Sequence, residues 1–320
     1  MPAQHAAAAP ASGRPGADPL PPRRFELLGA PFDGAATLGW PGSRYAPERI
    51  RAALGWMLQR REDGRIYCLD HGTTHPFPDD LLTDGGDVHT VAHDLAATLD
   101  AAADGVRGAV RAGRIPVLLG GDDSLLYPAA RGLAEAADGT VAVIHLDAHL
   151  DLLDRNEQQG THSHSSGMRR AAELPNLDIA SSIQLASRHF NFPSSLRFRE
   201  ERGLRNIPAT AIHERGVDDV VDEVIAHVSG ADRVLLAFDI DAVDPAHAPG
   251  AGAHEPGGLT SFQAVRLVQR LAPHVHAMVL TEVNPLTDLR DQTANLAAYL
   301  VAHLVVHGAA AAGAAAGEDD

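Results

Sequence analysis

Val141-Ala-Val-Ile-His-Leu146 runs without a break into Asp147-Ala-His149-Leu-Asp151, and the join between the two decides how the chain folds. A short apolar run of this kind, bounded by polar residues, reads as a strand buried on both faces. The ionisable residues begin where the strand ends. The pattern recurs at Val234 to Phe238, which is followed by Asp239, Asp241, Asp244 and Pro245. Further strands are read at Phe25 to Ala30, Ile115 to Leu119 and Val275 to Leu280. In the opaque stretch from Leu174 to Gly216, only Ile183 to Leu185 reads as a strand.

Helical patterns separate these runs. Pro47 opens a helix through Leu58, because proline is well tolerated in a first turn. Val88, Val91, Leu95, Leu99, Val106 and Val110 recur close to a helical period, which predicts one long helix over that stretch. Thr260 with Gln263 three residues on is a capping pattern for another. Buried strands alternating with amphipathic helices predict an α/β fold, a parallel sheet with helices on both faces. No repeat or Pro/Ser-rich linker interrupts the body, so a single domain is expected over residues 23–307. The Ala-, Pro- and Gly-rich stretches 1–22 and 308–320 are expected to be a disordered leader and tail.

Of the 320 residues, 26 are Lys or Arg and 42 are Asp or Glu, a formal charge of −16. Such a balance argues against nucleic acid or an anionic membrane as partner, and suits a small cationic substrate. The one cysteine, Cys68, cannot form an internal disulfide. It lies in a strand-like run, Ile66 to Leu69, and is expected in the core. No apolar stretch approaches the roughly 20 residues that span a bilayer, and no signal-peptide core is present. A cytoplasmic location is expected.

In open parallel sheets ligands collect at the carboxyl ends of the strands, which is where the acidic residues fall. Positions i and i+2 of an extended segment point the same way, so each trio can aim two or three ligands at one point. Four or more carboxylates gathered with an imidazole would repel one another without a counter-charge. A lone Asp-x-Asp is ordinarily a solvated loop or a cap; two clusters, each closing an apolar strand, point to a divalent metal. Oxygen-dominated ligands with one or two imidazoles suit Mn2+. Two such ions can share a water and lower its pKa toward neutrality.

The ordered set of motifs resembles the ureohydrolase family of arginases, agmatinases and formimidoylglutamases, with the agmatinase-like branch the nearest. The resemblance runs from about Gly29 to His307. It comprises Pro31-Phe-Asp33-Gly34, Pro41-Gly-Ser-Arg-Tyr-Ala-Pro47, the two aspartate clusters, Glu255-Pro-Gly-Gly-Leu-Thr260 and Glu282-Val-Asn-Pro285. It implies a three-layer α/β/α sandwich around a mostly parallel sheet of about eight strands. It implies a trimer or hexamer, and a pair of Mn2+ ions per chain, with Ni2+ or another divalent metal as substitutes. Asp147 and Asp239 would bridge the metals; Asp151 would complete one site, and His149 with Asp241 the other. His164 matches the histidine used near the leaving group, and Glu282 the anchor for the substrate's cationic group.

One residue departs from the family pattern. Where the family has Gly-Gly-Asp-His-Ser, this chain reads Gly120-Gly-Asp-Asp123-Ser124. Asp123 either ligates the metal through oxygen, leaves the first site weak or empty, or marks a protein that binds without catalysis. As a ligand it would make the bridging water less acidic and shift the activity optimum to higher pH. The expected reaction is hydrolysis of a linear amidine: agmatine or a guanidino acid giving urea and an amine, or formimidoylglutamate giving formamide. The alternative of another class is a non-catalytic metal-binding paralogue. Arg155 is read as a partner for a substrate carboxylate or a solvated loop residue, and His162 as a pocket or surface residue.

Overall fold

All six residues of the strand Val141–Leu146 are buried, and the five apolar ones alternate between two hydrophobic cores. Ala142, Ile144 and Leu146 join one core and Val141 and Val143 the other, following the two-residue repeat of a strand. The computed structural model describes residues 23–36, 39–155 and 157–314, with backbone alone over 310–314. In chain order the first elements are β1 (Arg24–Gly29), α1 (Ala46–Leu58), β2 (Arg65–Cys68), β3 (Thr73–Pro76), β4 (Leu82–Asp87), α2 (Leu95–Arg111), β5 (Arg114–Leu119), α3 (Leu126–Ala136) and β6 (Val141–Leu146). They continue with α4 (Gly167–Ala171), β7 (Ile183–Leu185), α5 (Pro193–Arg202), β8 (Arg205–Ile207), α6 (Ala209–Arg215), α7 (Val217–Val228), β9 (Arg233–Asp239), α8 (Ser261–Leu271), β10 (Ala277–Thr281) and α9 (Gln292–Ala314).

Eight strands form one sheet in the order β4-β1-β5-β10-β9-β6-β7-β8, and every pairing in it is parallel. Helices α1, α7, α8 and α9 bury their apolar stripes on one face, and α2, α3, α4 and α5 on the other. This is the expected α/β/α sandwich. Because β5, β10, β9 and β6 lie side by side, whatever follows each of them emerges at one edge of the sheet. Four segments far apart in sequence thereby deliver side chains to one place.

Several boundaries differ from the periodic reading. Helix α2 begins at Leu95, not Val88, because Asp94 caps it by accepting from the Ala97 amide at 3.0 Å. Val91 lies in the preceding turn, held at both its amide and its carbonyl by Thr98 Oγ1. The stretch 174–216 holds β8, α5 and α6 besides β7; a three-residue strand carries too few residues to show a period. Helix α9 runs to Ala314, past the body's expected end at His307, while 1–22 and 315–320 lie outside the described residues. Cys68 does not sit in the core: β2 and β3 make a separate antiparallel hairpin, and Cys68 is partly exposed on it. No helix among the described residues is long and apolar enough to cross a membrane.

Candidate metal centre

The turn after β5 is set by backbone crowding. A Cβ at Gly121 would lie 1.6 Å from the carbonyl oxygen of Phe32, so only glycine allows the two backbones to pass. Asp122 then caps the short 3₁₀ turn Asp123–Leu125, accepting from the Ser124 amide at 3.0 Å, while its other oxygen accepts from the Ala35 amide at 2.9 Å. Asp123 is buried beside the end of β10. Its Oδ1 accepts from Thr281 Oγ1 at 2.7 Å, and its amide donates to Glu282 Oε1 at 2.9 Å.

The strands β6 and β9 end in the same manner. Asp147 Oδ1 accepts from the His149 amide at 2.6 Å, Asp241 Oδ1 from the Ala148 amide at 3.0 Å, and Asp239 Oδ1 from the Asp241 amide at 2.8 Å. Each of these carboxylates commits one oxygen to the protein. The other oxygens of Asp123 and Asp147 are buried and without a hydrogen-bond partner. His149 Nδ1 lies between Asp147 and Asp241, 3.2 and 3.1 Å from their oxygens.

These atoms form two groups suited to a metal: Asp123, His145 and Asp147 in one, Asp147, His149 and Asp241 in the other, with ligand atoms of each group within 4.8 Å of one another. Asp147 belongs to both. Asp151 and Asp239 line the same cavity, but neither contributes an atom to those two groups. The electrostatics agree with a centre short of positive charge. Burial, followed by repulsion from Asp147, pushes Asp123 up to about 7. Burial and neighbouring aspartates hold Asp151 and Asp239 well above the usual carboxylate range. Burial also works against ionisation of Asp147, but the imidazoles of His145 and His149 beside it hold its carboxyl far below that range. Orphaned buried oxygens and carboxylates pushed toward the neutral form are what a bound divalent cation would satisfy.

His145 is the residue that the motif reading missed. It is fully buried on β6, with Nε2 3.1 Å from Asp147 Oδ2 and 4.0 Å from Asp123 Oδ2, yet without a hydrogen bond at that nitrogen. The Gln184 amide nitrogen reaches His145 Nδ1 at 3.0 Å and the Leu150 carbonyl at 2.7 Å. The signal was available: strand alternation aligns His145 with Asp147, as it aligns Asp147 with His149.

Above the aspartates opens a cavity of about 410 Å3, lined by Asp123, His149, Asp151, His164, Asp239, Asp241 and Glu282. His164 Nδ1 stands 3.6 Å from Glu282 Oε1. Burial lowers the His164 imidazole, but the partnership with Glu282 outweighs it and the net shift is upward. Asp151 and Glu282 carry positive φ, 48° and 61°, a conformation non-glycine residues seldom adopt and one that clusters at functional sites. Asp244 is not aimed at the centre; it accepts from the amides of Ala246, Gly257 and Gly258. Asp33 is likewise engaged with Arg44 and the Gly42 amide. Arg155 is exposed and His162 rests on Tyr127, ring centroids 5.5 Å apart; neither lines the cavity.

A profile of the Arginase family matches residues 23–307. Proclavaminate amidinohydrolase of Streptomyces clavuligerus is 34% identical over 286 residues, 86% of this chain and 86% of that protein. The mitochondrial agmatinase of Gallus gallus is 31% identical over 276 residues, 86% of this chain and 78% of that protein. The crystal structure of formimidoylglutamase from Bacillus subtilis superposes with a TM-score of 0.78 at 26% identity, covering 91% of this chain and 88% of that one. By these matches and by its fold, the chain belongs to the arginase family, hydrolases of the C–N bonds of linear amidines.

Proposed function

We propose that this chain hydrolyses the guanidino group of a small cationic compound to urea and an amine, with a pair of divalent metal ions held by Asp123, Asp147, His149, Asp151, Asp239 and Asp241. The observation that carries the reading is the meeting of two groups of ligand atoms at Asp147, beneath a cavity whose wall sets His164 against Glu282. The oxygen-rich donor set favours Mn2+ over thiolate-seeking metals. Bound there, the metal pair supplies a water acidic enough to act as a nucleophile near neutral pH.

The chain's own residues do the remainder. The Glu282 carboxylate pairs with the guanidinium N–H groups, a charge-assisted contact strengthened by burial, and so holds the electrophilic carbon over the aspartates. His164, its imidazole raised toward the protonated form, gives a proton to the departing amine. Leu152, Leu153, Phe190 and Phe192 on the wall shed water from the substrate's methylene chain. Overall, water's oxygen joins the guanidino carbon, the bond to the amine nitrogen breaks, and the amine leaves with a proton.

Among the described residues lining the cavity there is no arginine or lysine. A substrate carboxylate would find neutral donors such as Ser165, Asn191 and Ser195 but no Lys or Arg to balance it among several carboxylates, so an agmatine-like tail is favoured over a guanidino acid or formimidoylglutamate. The test is a panel of these three classes on the Mn2+-reconstituted full chain, with urea and formamide assayed separately. Urea from the agmatine class is expected, with Glu282→Gln lowering kcat/KM by roughly 10²–10³ at unchanged metal content. Formamide release would move the assignment to a formimino substrate. Metal binding with neither product would leave a non-catalytic metal-binding protein. Assembly into a trimer or hexamer belongs to the same proposal.

A further inference from the structure

Far from the aspartates, the β2–β3 hairpin and helix α9 bring together a second set of metal-binding side chains. Cys68 closes β2, His71 lies in the hairpin turn and His75 on β3, while His303 and His307 stand one helical turn apart on α9. The His307 ring lies 5.2 Å from that of His71, 5.5 Å from that of His75 and 5.5 Å from that of His303. Cys68 Sγ is 3.5 Å from His71 Nδ1. Ligand atoms of Cys68, His71 and His307 all fall within 4.8 Å of one another, and His307 Nε2 is buried with no hydrogen-bond partner.

From this geometry we infer a structural zinc site formed by Cys68, His71 and His307, with His75 or a water as fourth ligand, which staples the hairpin to the C-terminal helix. Zinc bonds of about 2.3 Å to sulfur and about 2.0–2.1 Å to nitrogen require the three donors to close by roughly an ångström, within reach of a turn and two side-chain rotations. Beside that geometry, the imidazoles of His75, His303 and His307 are shifted toward the neutral form. Burial, then the neighbouring histidines, holds His307 down to about 4. His75 and His303 are lowered for the same reasons, burial first in each. There is also a need for a staple. A lone two-stranded hairpin is marginal in water, and this one is not part of the main sheet. Thiolate with imidazole selects zinc, whereas the carboxylate-rich centre selects harder ions, so the two sites need not compete.

Cys68 is the chain's single cysteine, which gives the site a private signal. Metal-free full-length protein is titrated with Co2+ and the sulfur-to-cobalt charge-transfer band followed, then displaced with Zn2+. One equivalent should develop the band, zinc should bleach it, and Cys68→Ser should lack it. His71→Ala, at an exposed position, should weaken zinc binding by ~10-fold or more, and zinc should raise the Tm of the parent but not of Cys68→Ser. Manganese-dependent turnover should be the same in Cys68→Ser as in the parent. Absence of the band in the folded parent would overturn the site, as would equal zinc content in the parent, Cys68→Ser and His71→Ala.

Discussion

An aspartate where the family carries a histidine changes the charge that the centre must balance, and the residues around Asp123 indicate how it is accommodated. Thr281 takes one carboxylate oxygen and leaves the other directed at His145 and Asp147. The imidazole absent from the turn after β5 therefore has a counterpart on the neighbouring β6. Which proton His145 carries is tied to Gln184. With the amide nitrogen on Nδ1, the proton sits on Nε2 and His145 orients Asp147. The same amide nitrogen donates to the Leu150 carbonyl at 2.7 Å, and turning the amide over would set two acceptor oxygens against each other, so this orientation is fixed. His145→Asn should therefore weaken metal binding by ~10–100-fold, the usual cost of losing a ligand's immediate support. Metal content after dialysis measures it, and an unchanged content would remove His145 from the centre. The motif singles out Asp147, His149 and Asp241, whose ligand atoms the structure gathers; His145 was overlooked because it hides inside an apolar run.

Whole elements were legible where packing and local preference agree. The capping box of Thr260 and Gln263 forms as the pattern predicts and starts α8. The apolar runs became strands to within two residues. Where the local signal is weak the reading stopped: α5 lies mostly on the surface with few buried residues, and β7 and β8 have three residues each. Interactions between elements were not legible at all. His276, just before β10, accepts from the first buried amide of β9, Val234, at 3.1 Å. Burial, then Arg23 and Arg233, holds its imidazole down to about 4. A lowered imidazole contributes stability that is complete above about 6.5 and is lost as pH falls toward about 4, on the order of 3 kcal/mol in full. Unfolding measured between pH 7 and 5 should therefore show a shallower loss in His276→Gln than in the parent. Parallel slopes would mean that the ring is not kept neutral.

For the molecule as a whole, metal is expected to act as a folding ligand. Without it, burial holds Asp122 and Asp123 up to about 7. A raised carboxyl keeps its proton in the folded chain between about pH 4 and 7 while the unfolded chain has lost it. The metal-free fold therefore loses stability as pH rises through that window. Metal bound at Asp123 displaces its proton and binds more tightly as pH rises. The Tm gap between the Mn2+-loaded and chelator-treated chain should widen from pH 5 to pH 8. Ligand in hundredfold excess over its Kd adds about 2.7 kcal/mol; a gap that is absent or shrinks with pH would count against the centre.

The sequence by itself determined the class of fold, the strand ends that carry acid, and the family, because strand periodicity and contiguous motifs are local properties. Only the tertiary structure decided that Asp123 faces His145, that Asp244 and Arg155 stand apart from the centre, and that Cys68 meets His307. Those contacts depend on strand order and on helices packing across the sheet, and no local pattern encodes which distant segments will be neighbours.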